Sequence, residues 1–181
     1  MNKSKIGAIK LINNYRQFAK TIDTNTNVYI TNDTWYCEPE NNEIFVFNPN
    51  KDTNKKVWND FLNSVEIKLN KNNKHLIKTI PSFMWCFLHE MGHLQTEKKI
   101  YNILLPYRKV TDFLSYHFAS KSNFIDRLTT KMYYNMIDEK KATQWAIDFA
   151  TKNELQVIKQ SKEIQKIYKK YFHKIVDKEF C

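Results

Sequence analysis

Glycine is nearly absent from this chain of 181 residues, which contains only Gly7 and Gly92. Proline is scarce as well, with four residues. Because glycine and proline are the strongest interrupters of helices, their scarcity favours a mostly helical chain. The hydrophobic fraction of 42% and the aromatic fraction of 14% suffice for a buried core, which excludes an intrinsically disordered protein. Without a linker or a repeat, a chain of this length predicts one domain over residues 1–181.

Cysteines and long apolar runs are also few. Cys37, Cys86 and Cys181 are an odd number without a CxxC spacing, so we expect thiols in a reducing compartment rather than a disulfide framework. No segment approaches the roughly 18 apolar residues that a membrane span needs. The basic N-terminal stretch meets polar residues too soon for a signal peptide or an anchor. The sequence therefore predicts a soluble, cytoplasmic protein without a membrane partner.

Arginine is the third scarcity, and it qualifies the formal net charge of +10. Of the 29 basic residues only three are arginines, and the lysines are scattered, with their densest runs at 51–56 and 166–174. Arginine is the better reader of phosphates and bases, and nucleic-acid interfaces concentrate their charge. The composition therefore argues against a nucleic-acid partner, and the sequence leaves the oligomeric state open.

Hydrophobic periodicity predicts an α+β fold that is mostly helical. Apolar residues at helical spacing indicate a first helix to about Thr21. Three short β-branched and aromatic segments then predict a small antiparallel sheet: NVYI, TWYC and EIFVFNPN. Further helices are expected around 57–69, from Pro81 to about Lys99, and over 110–119, 122–135, 138–151 and 154–176.

The helix after Pro81 carries the segment HEMGH, residues 89–93. Residues four apart lie on one face of a helix, so His89 and His93 can direct imidazole nitrogens at one metal ion. Glu90 lies beside the first histidine, where it can reach a water molecule that the ion activates without binding the ion itself. The pattern predicts a metal site with Glu90 as general base.

The alternative is an ordinary helix with two core histidines, and two features argue against it. The residues from Pro81 to Leu88 are almost continuously apolar, which predicts a buried helix in which each polar side chain needs a partner. Gly92 lies in the helix interior, where glycine costs about 1 kcal/mol relative to alanine. We expect another backbone or a substrate to pack closely against that turn.

A catalytic zinc site needs a third protein ligand and an open fourth position. Lys99 occupies the position where a metzincin has its third histidine, which excludes that pattern. The candidates that remain are Glu97, Asp112, His117, Asp126, Asp138, Glu139, Asp148 and Glu154. Glu139 is favoured, since it precedes an alanine stripe (Ala142, Ala146 and Ala150) that lets its helix approach another closely, although a first-turn acid also suits a helix dipole.

Together, FLHEMGH and the later EKKATQWA resemble the zincin domain of ImmA/IrrE-like metallopeptidases, found in phages and mobile elements. The resemblance covers about residues 25–150, with helical extensions at both ends, and the first motif is the specific one. The matching positions are His89, Glu90, Gly92, His93, Glu139, Ala142, Trp145 and Ala146. Lys141 and Thr143 depart from the second motif, in which an acid and Asp or Asn are usual. The resemblance implies a zincin-like fold with the small sheet beside the HExxH helix.

The resemblance further implies a gluzincin-type peptidase that binds one Zn²⁺ per chain through His89, His93 and Glu139, with Glu90 as base and then acid. An edge strand from TWYC or EIFVF would pair with an extended substrate peptide. A further donor would stabilise the oxyanion of the reaction. The candidates for it are Tyr116, His117, Tyr133 and Tyr134.

The expected function is zinc-dependent cleavage of a specific intracellular protein, and the family suggests regulatory proteolysis of a repressor or an antitoxin. The alternative is a non-catalytic regulatory or protein-binding domain on a zincin scaffold with structural zinc, which the departures at Lys141 and Thr143 allow. Glu90 separates the two, because a purely structural zinc site does not need it.

Overall fold

The computed structural model describes residues 3–32, 35–48, 55–96, 109–110, 113, 128, 131–133 and 135–172, with residues 55–60 described by their backbone alone. Helices dominate these residues and a three-stranded sheet accompanies them, which confirms the predicted α+β fold. The elements are α1 (Lys3–Ile22), β1 (Asn27–Thr31), β2 (Tyr36–Glu38), β3 (Glu43–Phe47), α2 (Lys55–Lys68), α3 (Leu76–Thr79), α4 (Ser82–Thr96), α5 (Ile137–Lys152), α6 (Glu154–Ile167) and a π-helical segment (Tyr168–Phe172). The helices expected at 110–119 and 122–135 lie mostly outside the described residues.

The sheet is mixed, and the expected antiparallel sheet is wrong in one of its two pairings. The strand order is β1-β3-β2, with β1 parallel and β2 antiparallel to β3. Strand β3 takes the centre because it is the most apolar strand, with Ile44 and Val46 fully buried. On the other face, the ring of Phe45 stacks between those of Tyr29 and Tyr36. The expected position of the sheet is confirmed, since β2 and β3 both contact α4.

Helix α4 is the central helix of the core. Every residue from Ser82 to Leu94 is buried, as the apolar flanks of the motif predict. Trp85 and Phe87 are fully buried, and Phe87 packs against Tyr15 of α1 with ring centroids 4.8 Å apart. Burial on all sides is typical of a helix that is apolar all round. The polar residues at its C-terminal end therefore lie inside the protein.

Helix α5 packs along α4 at very short range. A Cβ added to Gly92 would meet the carbonyl oxygen of Ala142 and would lie only 2.8 Å from its Cα atom. The alanine stripe faces this contact, since Ala142, Ala146 and Ala150 are all buried. The expectation that a second backbone lies against Gly92 is confirmed, and the close approach brings the first turn of α5 to the end of α4.

The chain ends of the described region pack on each other and on the core. Helix α1 contacts α6 and the π-helical segment, where the expected helix over 154–176 changes its winding at Tyr168. A Cβ added to Gly7 would clash with the side chain of Tyr171.

The short helix α3 was not expected from the sequence. None of the helices in the described part of the chain is both long enough and apolar enough to span a membrane.

Candidate metal centre

His89 and His93 lie one turn apart on α4 and point to the same place. Their Nε2 atoms are 3.1 Å apart, and each residue is 5% exposed. The helical periodicity that predicted a shared face therefore holds. Since α4 is buried on all sides, the two rings meet inside the protein rather than on its surface.

Glu139 reaches the two histidines from the first turn of α5. Its Oε2 atom lies 2.9 Å from Nε2 of His89 and 3.5 Å from Nε2 of His93, and the residue is 1% exposed. The ligand atoms of these three residues lie within 4.8 Å of one another, a group that could hold a metal ion. The structure thus brings together the three predicted ligands, of which His89 and Glu139 lie 50 residues apart in the chain.

The other candidate ligands do not join this group where they are described. Asp138 is fully buried beside Glu139 but is not part of the group. Asp148 accepts a hydrogen bond from Gln144 on the exposed side of α5, and Glu154 pairs with His75. The remaining candidates lie outside the described residues: Glu97, Asp112, His117 and Asp126.

The spacing of the three ligand atoms suits a small tetrahedral ion. Ligands about 2.0–2.1 Å from a tetrahedral zinc are separated from one another by about 3.3 Å. The three observed separations of 2.9, 3.1 and 3.5 Å lie around that value. Two imidazoles and one carboxylate are also a ligand set that catalytic zinc sites use, with one position left for water or substrate.

Thr143 determines which nitrogen of His89 faces this group. Its hydroxyl donates to the backbone carbonyl of Glu139 at 2.7 Å, so only its lone pairs face Nδ1 of His89 at 3.2 Å. The hydroxyl can therefore accept the Nδ1 proton, and in the neutral ring Nε2 then offers a lone pair. That lone pair faces a carboxylate oxygen and the second imidazole, a place where a cation can bind between the three side chains.

The electrostatics of Glu139 agree with a carboxylate in its ionised form. Burial alone raises the pKa of the Glu139 carboxyl, but the charge of His93 and hydrogen bonds with both histidines oppose burial. The net result is a pKa well below the usual range. A ligating carboxylate has to be ionised, so this side chain is ready to bind a cation.

Glu90 lies next to the group but is not one of its ligands. It is 9% exposed. Burial raises the pKa of its carboxyl; the two histidines oppose the rise, while Glu139 adds to it. A hydrogen bond from the thiol of Cys37 also lowers this pKa, although less than the other groups change it. Since Cys37 lies on β2, the Glu90 carboxylate lies between the sheet and the group formed by His89, His93 and Glu139.

Three residues at this site had no functional assignment from the sequence. Phe61 of α2 packs against the His89 ring with centroids 5.0 Å apart, Cys37 contacts Glu90, and Thr143 contacts His89. Only Thr143 had a usable signal, since it follows Glu139 by one helical turn and shares its face. Cys37 and Cys86, the two cysteines among the described residues, are not joined to each other by a disulfide.

Of the four residues expected as candidate oxyanion donors, the structure describes one. Tyr133 is half-buried in a helical segment, and its role stays a prediction. Tyr116, His117 and Tyr134 lie outside the described residues. The part of the site that is described therefore consists of the metal group, Glu90 and the residues that hold them.

Comparisons with family models, with curated proteins and with solved structures give no significant match. The likeness to ImmA/IrrE-like metallopeptidases consequently stays a prediction from the two motifs. What the protein does has to be inferred from the geometry of this group.

Proposed function

We propose that the protein is a zinc-dependent metallopeptidase that hydrolyses peptide bonds of a specific intracellular protein. His89, His93 and Glu139 would hold one Zn²⁺ per chain, and Glu90 would be the general base. Regulatory cleavage of a repressor or an antitoxin is the use that the motif resemblance favours. The proposal concerns the reaction class first, and the target protein second.

One observation carries the proposal: His89, His93 and Glu139 bring their ligand atoms within 4.8 Å of one another in a buried place, and a second carboxylate, that of Glu90, lies beside them without ligating. Here Nε2 of His89 faces the Glu139 carboxylate at 2.9 Å and Nε2 of His93 at 3.1 Å, while Nδ1 is already used by Thr143. A metal ion would bind all three side chains at once, and a purely structural ion would not need Glu90 beside it.

The residues support hydrolysis in a simple sequence of proton movements. When bound, Zn²⁺ would acidify a water molecule and polarise the carbonyl of the peptide bond. Glu90 would take the proton of the attacking water and later deliver it to the leaving amine. Its pKa, raised mainly by burial, brings a carboxylate closer to the pH of its surroundings, which suits a group that must both accept and donate a proton.

Strand β2 is suited to holding the substrate. Of the two segments that were expected to pair with a peptide, EIFVF forms the central strand β3, while β2 lies at an edge and pairs only with β3 in the described part of the chain. Cys37 of β2 contacts Glu90, so a peptide added along this strand would run past the base. Main-chain pairing gives such peptides affinity with little dependence on sequence.

The test is a comparison of Glu90→Gln with the unaltered protein. Both proteins, purified without chelators, should contain about one zinc per chain by elemental analysis, because Glu90 is not a ligand. Cleavage of a fluorogenic peptide library should fall by roughly 10²–10⁴-fold in the variant, the usual contribution of a general base.

Glu66→Gln is a matched control, because Glu66 is an exposed glutamate that pairs with Lys74 on the surface. It should retain both zinc and cleavage. A protein that contains no zinc would overturn the metal centre. Equal cleavage by Glu90→Gln and the unaltered protein would overturn the peptidase mechanism and leave a non-catalytic zinc domain.

A further inference from the structure

We infer that Thr143 is the positioning residue of the metal centre, and that its hydroxyl sets the affinity for the ion by orienting His89. The inference rests on the proposed metal site and deepens it. In the motif that the sequence resembles, this position is usually Asp or Asn. In this chain a threonine hydroxyl holds the metal ligand instead.

The geometry of Thr143 connects the two helices that supply the ligands. Its hydroxyl is anchored in α5 by donation to the Glu139 carbonyl at 2.7 Å and accepts from Nδ1 of His89 in α4 at 3.2 Å. One hydroxyl therefore joins the backbone of one ligand to the ring of another. The residue is 1% exposed, so water does not compete for either contact.

The contact with Nδ1 has two consequences for the ion. In the neutral ring it favours the tautomer in which Nε2 is unprotonated, and it holds the ring plane in the direction of Glu139. Phe61 packs against the same ring, with centroids 5.0 Å apart, and limits its rotation. Without the hydroxyl, the ring can take up the other tautomer, whose Nε2 proton excludes the ion.

The donation to a carbonyl one turn earlier is not what distinguishes Thr143. Thr151 of the same helix donates to the Ile147 carbonyl at 2.8 Å, and Thr96 of α4 donates to the Gly92 carbonyl at the same distance. Thr151 also lies within 3.4 Å of Asn73, a neutral side-chain donor. Only Thr143, among these three, has a histidine ligand as its second partner, so Thr151 offers a matched control.

The experiment measures the zinc affinity of three variants by competition with a chromophoric chelator, and the absorption spectrum of each after loading with Co²⁺. Thr143→Val keeps the shape and removes the hydroxyl, Thr143→Ser keeps the hydroxyl, and Thr151→Val removes an equivalent hydroxyl elsewhere on α5. We expect Thr143→Val to bind zinc about 10–100-fold more weakly, as is usual for loss of an outer-shell partner. Its Co²⁺ spectrum should shift, whereas Thr143→Ser and Thr151→Val should resemble the unaltered protein.

The outcomes separate this inference from the proposed function. If the unaltered protein binds zinc and Thr143→Val binds it equally well with the same spectrum, the positioning role is wrong while the metal centre stands. Equal weakening by Thr151→Val would overturn it too, since the effect would belong to the helix. If the unaltered protein binds no zinc, both proposals fail. Should Thr143→Val not fold, Thr143→Ala, which also lacks the hydroxyl, replaces it in both measurements with the same expected and contradicting results.

Discussion

Two histidine–glutamate pairs in the described part of the protein have almost the same geometry and opposite surroundings. His89 and Glu139 lie 2.9 Å apart with side chains 6% and 1% exposed, while His75 and Glu154 lie 3.1 Å apart with side chains 53% and 36% exposed. Water solvates the second pair and screens its charges, so it contributes only about 0–1 kcal/mol. The first pair has lost its water and must be satisfied by what lies next to it.

The comparison shows that distance alone does not identify a metal site. The exposed pair is complete as it stands, because the histidine can donate to the carboxylate and both groups keep their contact with solvent. The buried pair has a third ligating side chain, His93, and a backbone-anchored hydroxyl that contacts the outer nitrogen of the His89 ring. Burial together with this third ligating group, rather than the histidine–glutamate contact, indicates a cation site.

The largest expected difference between the pairs is in metal binding. Glu139→Ala should reduce zinc affinity by at least about 100-fold, more than the loss of an outer-shell partner, because it removes one of three protein ligands. Glu154→Ala is the matched variant on the exposed pair and should retain one zinc per chain by elemental analysis. If both variants retain zinc, the buried pair is no more than an ion pair, and the contrast disappears.

A smaller effect should follow from Gly92→Ala, which separates the helices on which the buried pair depends. The added Cβ would meet the backbone of Ala142, which cannot rotate away. Overpacking of this kind costs about 1–3 kcal/mol, more than the roughly 1 kcal/mol that alanine contributes to an isolated helix. We therefore expect a lower free energy of unfolding and a weaker zinc affinity. Urea unfolding and zinc titration of the same sample measure these two quantities.

Gly7→Ala is the control for this substitution, because it clashes with Tyr171 in the contact of α1 with the π-helical segment, away from the α4–α5 contact. It should lower the free energy of unfolding without changing zinc affinity. A Gly92→Ala protein with unchanged zinc affinity would show that the close approach of α4 and α5 is a packing feature unconnected with the site.

The smallest effect concerns the pH dependence of stability in the chelator-treated protein. Because the pKa of Glu139 is lowered in the folded state, its contribution is present above the unfolded pKa of about 4.3 and is lost as the pH falls through the folded pKa. Glu139→Gln should lack that acid-dependent part. The pKa of Glu90 is raised, so Glu90→Gln should instead stabilise the fold near neutral pH. Urea titrations from pH 3 to pH 8 test both signs, and identical profiles for the two variants would contradict the assignment.

The sequence was informative about the site wherever the necessary geometry is local. His89, Glu90 and His93 are neighbours on one helix, so the helical repeat alone relates them. Glu139 was within reach of the same reasoning only because the alanines after it predict a close helix–helix contact. Its 2.9 Å approach to His89 depends on how α5 packs, which no periodicity within α5 specifies.

The sheet shows the corresponding limit for the fold. Alternation of apolar residues identified the three strands, but alternation states which face a residue occupies and says nothing about which strand lies beside it. The most apolar strand, β3, takes the centre, where both its edges are paired, and the direction in which β1 runs beside it is set by the packing of the elements that connect them. Cys37 and Phe61 reach the site through this kind of long-range packing, and the sequence therefore contained no signal for them.

The amino-acid sequence by itself determined a buried HExxH helix, a mostly helical α+β fold and a glycine that admits a second backbone. These follow from short-range backbone geometry and from the transfer of apolar side chains out of water. Only the tertiary structure decided that Glu139 completes the group, that Thr143 contacts His89 and that β2 lies beside Glu90. Those contacts join residues distant in the chain, so their geometry is set by the packing of whole elements against each other rather than by local sequence.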